Sequence, residues 1–286
     1  MIALIIATLI WAFSFGLIKY HLSNVDSNFI TFARLTLAFF LFLPFIRDLK
    51  FNRNNFIKLL LNGILQFGLM YEAYNLSFKY LQAYEVALFT IFTPVYVTLY
   101  SDILKKKSNP KFLVYSFISV IGAGIIVFSK IYSLNLWIGF LLTQISNISF
   151  AMGQINYKNI MTKNPEIKDK EAMLTMYFGG LIIPSIITFS SHNSLFILSK
   201  DELIVLFYLG VVASGIGFFL WNYGVKIANV SVISTFNNLK IPAGFLVSLI
   251  FFNEKVDLIR LLVGSILILF SIYMSTKSGL NYEKKS

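Results

Sequence analysis

Cysteine is absent from this chain, which excludes disulfides, thiolate metal sites and cysteine nucleophiles and leaves the redox compartment unreadable. Charge is scarce as well. Only 13% of the 286 residues are Asp, Glu, Lys or Arg, against about 25% in a soluble domain. A surface so poor in charge cannot face water throughout, so most of it must face lipid. The two histidines, His21 and His192, stand at the outer ends of apolar runs, which argues against a metal site. Gly215-Ile216-Gly217 lacks both the third glycine and the strand–turn–helix setting of a dinucleotide site. No Walker loop occurs, and no cofactor is expected. Asn75-Leu76-Ser77 and Asn147-Ile148-Ser149 match the glycosylation pattern but lie within apolar runs, where no glycan fits.

What is present is apolar length. Hydrophobic residues make up 57% of the chain. They fall into runs at 2–20, 28–46, 57–78, 84–104, 111–130, 136–157, 172–191, 203–225, 231–252 and 257–276. Each is near the roughly 20 residues that an α-helix needs to cross a bilayer. Ten such spans with short loops nearly fill the chain, leaving no room for a soluble domain, an ATPase or an ectodomain. The first run starts at Met1 with no basic segment before it, so no cleavable signal peptide is expected. The fold class is therefore an all-α integral membrane protein with ten transmembrane helices.

The net charge of +11 is read as topology, not as nucleic-acid binding. With the N-terminus inside, 16 of the 24 lysines and arginines fall in inner loops and the C-terminal tail, Lys105-Lys106-Lys107 among them. Six fall in outer segments, and Arg34 and Lys240 lie within spans. That bias places both termini in the cytoplasm. The Ile-, Asn- and Lys-rich usage points to an AT-rich bacterial genome and hence to a bacterial inner membrane.

The halves echo each other. Phe13-Ser14-Phe15-Gly16 in span 1 parallels Phe150-Ala151-Met152-Gly153 in span 6. Gly68, Asn75 and Lys79 parallel Gly215, Asn222 and Lys226, and Thr93-Pro94 parallels Ile241-Pro242. Two repeats are expected, 1–132 and 133–286. Five spans each is an odd number, so the second must sit inverted, a common build for secondary transporters.

Several segments carry a resemblance: Trp11-Ala12-Phe13-Ser14-Phe15, Arg34 before small residues, Pro94, Trp221-Asn222-Tyr223, Pro242 and Asn253-Glu254-Lys255. On these the chain resembles the drug/metabolite transporter superfamily, specifically its ten-span EamA-type members, over essentially its whole length. The counterpart of Asn253-Glu254-Lys255 is Lys105-Lys106-Lys107, without a glutamate, so Glu254 receives no function. The resemblance implies two five-helix repeats around a cavity lined by spans 1, 3, 4, 6, 8 and 9, and alternating access.

Ionisable groups within spans are costly, about 2.5–3.5 kcal/mol on translocon scales, so each needs a partner or a role. Glu72 and Arg34 fall at similar depth, roughly 22 Å from the inner edge at 1.5 Å per residue, and are expected to pair. The alternative for Glu72 is a proton-coupling or amine-binding carboxylate. Lys240 lies nearer the midplane with no acid at its level, and is expected to meet a substrate anion, the alternatives being to bond exposed carbonyls or to pair with Glu72 after all. Pro94 and Pro242 take the donors from the carbonyls of Thr90 and Asn238 and mark a gate or a kink. Gln144, Asn147, Ala151 and Gln154 share one face of span 6, and Asn237 and Asn238 stand in span 9. Amides avoid lipid, so these line a cavity or bond another helix. Trp11, Tyr71, Tyr74 and Trp221, beside the polar Ser14, Asn75 and Asn222, are candidates to stack on a substrate.

The expected function is a secondary transporter of small polar metabolites, amino acids or related amines and carboxylates, with export favoured by the resemblance. Its partners are that small molecule and the lipid bilayer; the oligomeric state is not readable. A channel or structural subunit is the rival reading, though the polar residues gather at midmembrane instead of tracing a path. An intramembrane enzyme would need a nucleophile–base set or a carboxylate pair at one depth, and neither is visible.

Overall fold

The computed structural model describes residues 1–22, 24–49, 52–81, 83–106, 108–127, 136–190, 198–251 and 257–283. Lys107, His192 and Asn253-Glu254-Lys255 lie outside them. Among the described residues there is helix and no strand. The helices are α1 (Ile2–His21), α2 (Ser27–Phe42), α3 (Arg53–Gly63), α4 (Met70–Ser77), α5 (Ala83–Thr90), α6 (Thr93–Lys105), α7 (Pro110–Val127), α8 (Leu136–Lys163), α9 (Asp169–Gly180), α10 (Ile182–Ser190), α11 (Lys200–Phe207), α12 (Phe218–Ile227), α13 (Val230–Phe236), α14 (Lys240–Phe251) and α15 (Leu258–Glu283). A 3₁₀ turn, Leu43–Asp48, extends α2. Two π-helical stretches, Ile64–Leu69 and Tyr208–Gly217, join α3 to α4 and α11 to α12. Five stretches, such as Ser27–Asp48 and Leu136–Lys163, are long and apolar enough to cross a membrane by length and composition.

Polar residues set where the helices start. Asp26 accepts from the backbone amides of Asn28 and Phe29, Asn52 from Asn55, and Asn229 from Val232. Ser199 and Glu202 form a reciprocal capping box. Between these caps the outward faces are apolar: Ile2, Trp137, Phe189 and Ile259 are each at least 74% exposed. In water such faces would drive aggregation; in lipid they are the solvent-matched surface.

Hydrocarbon gives no hydrophobic drive between helices, so association rests on close packing and buried hydrogen bonds. Glycines supply the first. A Cβ on Gly63 would stand 1.9 Å from the Met176 carbonyl oxygen, and one on Gly179 would stand 2.1 Å from that of Leu60, so α3 and α9 meet backbone to backbone. Gly122 and Gly264 do the same for α7 and α15.

The spans carrying Pro94 and Pro242 are broken outright. α5 stops at Thr90 and α6 starts at Thr93, while α13 stops at Phe236 and α14 starts at Lys240. As expected, the Thr90 and Asn238 carbonyls lose their usual partner four residues on, and protein groups satisfy them instead. The Thr93 hydroxyl donates to the Thr90 carbonyl at 2.9 Å, and the Ile241 amide to that of Asn238 at 3.0 Å. A three-residue backbone closure ahead of Pro242 and a side-chain hydroxyl ahead of Pro94 thus satisfy those groups locally. Other carbonyls around the breaks are taken across helices. Asn238 Nδ2 donates to Ile91 O at 3.1 Å, and Ser234 Oγ to Pro94 O at 2.7 Å. The two breaks are thereby tied to each other.

Gly264→Ala places its new carbon 2.4 Å from the Gly122 carbonyl oxygen, and such overpacking costs about 1–3 kcal/mol. The purified variant is expected to melt several degrees below the parent. Gly124→Ala, whose Cβ meets only Ile91 at 3.7 Å, is expected to melt with the parent.

Candidate functional site

The helices enclose a cavity of about 110 Å³ lined from α1, α2, α4, α5, α6, α8, α12 and α14, with Arg34 and Lys240 on its wall. Its level follows from α1. Ser14 and Ile18 line it, so it lies along the later half of α1. Four aromatic rings stand at its base. Trp11 lies 4.7 Å from Phe218, 5.0 Å from Trp221 and 6.2 Å from Phe150, centroid to centroid. Trp11 Nε1 donates to the Ala213 carbonyl in the π-helical stretch at 3.0 Å, which fixes its ring.

Below this floor the structure is polar and closed. Trp221 Nε1 donates to Gln154 Oε1 at 3.1 Å, and Asn237 donates to the same oxygen at 3.4 Å. Gln66 donates to Asn222 at 2.9 Å, and Asn62 to the Gly153 carbonyl at 3.0 Å. At the terminal end, Lys158 donates to the carbonyls of Lys226 at 2.8 Å and Ala228 at 2.7 Å. Lys226 pairs with Asp169, which also accepts from the Tyr157 hydroxyl at 2.6 Å. Leu4, at the start of α1, packs on Gly224 of the same α12, so this end is the one that carries the N-terminus. On the side that carries the N-terminus, the cavity therefore ends on a bonded polar layer.

The two cations on the wall differ in what holds them. Arg34 Nε donates to Ser214 Oγ at 3.1 Å, and Nη2 to the Tyr71 hydroxyl at 2.8 Å. Its guanidinium also lies 4.6 Å from the Tyr71 ring centroid. Lys240 makes no hydrogen bond or ion pair with any described residue. No carboxylate is among the described residues lining the cavity.

The expected Arg34–Glu72 ion pair is not formed. Tyr71, one residue earlier and about 100° around the helix, takes the guanidinium instead. Glu72 is 7% exposed, and its Oε1 has no hydrogen-bond partner. Of the residues read as site candidates, Trp11, Ser14, Tyr71, Thr90, Asn147 and Lys240 line the cavity, and so does Tyr74. Asn147 is locked between the Phe89 carbonyl, at 2.7 Å, and the Thr93 hydroxyl, at 3.2 Å. The others bond between helices. Gln144 accepts from Tyr96 at 3.0 Å, and Asn75 donates to the Thr31 hydroxyl. Gln154, Trp221, Asn222, Asn237 and Asn238 form the closed layer and the tie between breaks. Pro94 and Pro242 sit just past those breaks. Arg34, Thr93, Ser146, Phe150 and Phe218 line the cavity without having been read as cargo residues. Phe218 stands at the repeat position of Tyr71, a signal that could have found it.

Two comparisons decide the family. The sequence pattern of the EamA-like transporter family matches residues 1–128 and again 137–277. The chain belongs to the EamA-like transporter family. It is 36% identical over 281 residues to a protein of Salmonella typhimurium named biotin transporter, covering 97% of this chain and 93% of that one. It is equally similar, over 284 residues, to the biotin transporter of Escherichia coli. It is also 36% identical over 278 residues to a probable biotin transporter of Pseudomonas aeruginosa, covering 95% of this chain and 96% of that one. A crystal structure at 14% identity matches with a TM-score of 0.80 over 96% of both chains, which speaks to fold alone. This EamA protein is a multi-pass bacterial inner-membrane transporter of small molecules and not an enzyme. Amino acids and amines as cargo, and export as direction, gain no support from these relatives.

Tyr71→Phe removes one partner of a buried guanidinium and is expected to cost about 1–3 kcal/mol in reversible unfolding of the purified protein. Exchanging Arg34 and Glu72 is expected to rescue neither single variant, because the two do not touch. A rescued swap would restore the ion pair as the better description.

Proposed function

We propose that this protein carries biotin into the cell by alternating access, through two inverted five-helix repeats with both termini cytoplasmic. Lys240 is the observation that carries the reading. It presents an ammonium group, unpaired among the described residues, to a cavity whose lining holds a second cation and no carboxylate. Such a wall attracts an anion and disfavours an amine. A zwitterionic amino acid would leave its ammonium facing cations. Biotin is a monocarboxylate with an apolar chain and a ureido ring. Its carboxylate suits Lys240, and its chain and fused rings suit Trp11, Phe150 and Phe218.

Arg34 is assigned to setting the positive field, since its bonds to Tyr71 and Ser214 hold it in place. Bringing an anion into a cell with an inside-negative potential costs about 2.3 kcal/mol per charge per 100 mV. A co-transported cation offsets it, and the buried Glu72, with its unpartnered Oε1, is the carboxylate we assign to proton coupling.

The test is biotin counterflow in proteoliposomes. The parent is expected to show saturable exchange that excess amino acids do not inhibit. Lys240→Met removes a charge-assisted hydrogen bond of about 2–3 kcal/mol, so KM should rise roughly 30- to 150-fold. Biotinamide, which lacks the carboxylate, should bind parent and variant alike. A Lys240→Met protein with parental KM would end the assignment.

A further inference from the structure

We propose that the amide layer beneath the aromatic floor, Gln154 and Asn237 with the ring of Trp221, is a second cargo station on the terminal side, recognising the ureido group. The inference rests on the reading of the protein as a biotin carrier and extends it below the visible cavity.

Four observations converge. First, the cavity holds only about 110 Å³ and its floor is made of side chains, the rings of Trp11 on α1, Phe150 on α8 and Phe218 on α12, which can turn aside for a cargo.

Second, Gln154 is aligned with the cavity. It lies seven residues after Asn147 on α8, on nearly the same face and about 10 Å closer to the terminal end. Asn237 stands three residues before Lys240 at the break of its span. One helix face and one broken span thus run from the upper site straight into the layer.

Third, the layer is incompletely bonded. Gln154 is 0% exposed and Asn237 2%, yet Gln154 Nε2 and Asn237 Oδ1 have no hydrogen-bond partner. One is a donor and the other an acceptor. A ureido group offers N–H donors and a carbonyl acceptor, so it complements both. Packing alone would be better served by apolar residues here, since an unpaired buried amide is costly.

Fourth, Trp221 is 1% exposed, while its repeat counterpart Tyr74 already lines the open cavity. In an inverted-repeat carrier, counterpart positions exchange their environments when the access side switches.

The natural absence of cysteine makes the test direct. Gln154→Cys, Asn237→Cys and Ser146→Cys are reconstituted singly, and a membrane-impermeant cationic thiol reagent is added on either side. Ser146→Cys should react from the cavity side. Gln154→Cys and Asn237→Cys should resist the reagent from that side and react at least tenfold faster from the terminal side once biotin drives exchange. In parallel, Gln154→Leu and Asn237→Leu should bind biotin from the cavity side within twofold of the parent and exchange it at least tenfold more slowly. Should a leucine variant fail to fold, the cysteine proteins carry the test alone. Labelling that biotin does not change, or leucine variants that exchange at the parental rate, would overturn the station. Labelling without any loss of exchange would mark a water-filled space and overturn it equally. A parent that does not exchange biotin would instead overturn the cargo reading. The labelling is then read over long times without cargo, where reaction of both cysteines from the terminal side supports the layer and none refutes it.

Discussion

Hydrocarbon offers no hydrogen bonds, and that constraint organises everything else in this molecule. A backbone group exposed to lipid at midmembrane costs several kcal/mol, so helices are the only spanning element available to this chain and any break must be satisfied by protein. Two spans are nonetheless broken, ahead of Pro94 and Pro242. The breaks persist because they face each other and α8. Asn238 reaches the Ile91 carbonyl, Ser234 reaches that of Pro94, and Asn147 and Gln144 reach that of Phe89. Asn238, Ser234, Asn147 and Gln144 therefore stand where the broken backbone needs donors.

The same constraint separates two cations that a composition count would treat alike. Arg34 has a fixed fork of donors, and Ser214 and Tyr71 occupy two of its nitrogens. A guanidinium so held is a permanent local charge. Lys240 ends in a single ammonium on a flexible stem, with no described partner, so its donors remain for a ligand. The distinction lies in the neighbours and not in the residue types. Tyr177 belongs to this arrangement too: its hydroxyl donates to the Ser214 carbonyl, which lies in the π-helical stretch facing Arg34.

The apolar runs and the proline positions were legible in the sequence because each follows from a local rule about lipid. The described helices overlap those runs, several runs being divided between two helices, and α8 and α15 continue six and seven residues past theirs. Lys240, Trp11, Tyr71 and Asn147 were legible as cavity residues because polar or amphipathic groups within a span have few other places to go. Helical phase was not legible. Asn75 and Gln144 have the same chemistry as Asn147, but they turn toward α2 and Tyr96. Depth alone matched Arg34 with Glu72; a rotation of one residue gave the guanidinium to Tyr71. The π-helical stretches shift phase further, by widening the turn just before Tyr71 and Phe218.

That shift of phase also bears on what the protein can carry. Had Glu72 faced the cavity, its wall would hold two cations and one carboxylate, a set suited to a zwitterion, and an amino acid would be the natural cargo. With Glu72 turned into the helix packing, the lining described here keeps both cations and no acid. Selectivity of this kind works by exclusion. On the proposed reading, a carboxylate would find Lys240, whereas an added ammonium would be desolvated beside like charges with nothing to pair with. On that reading the class of cargo depends less on which charged residues the chain contains than on which side of α4 each of them occupies.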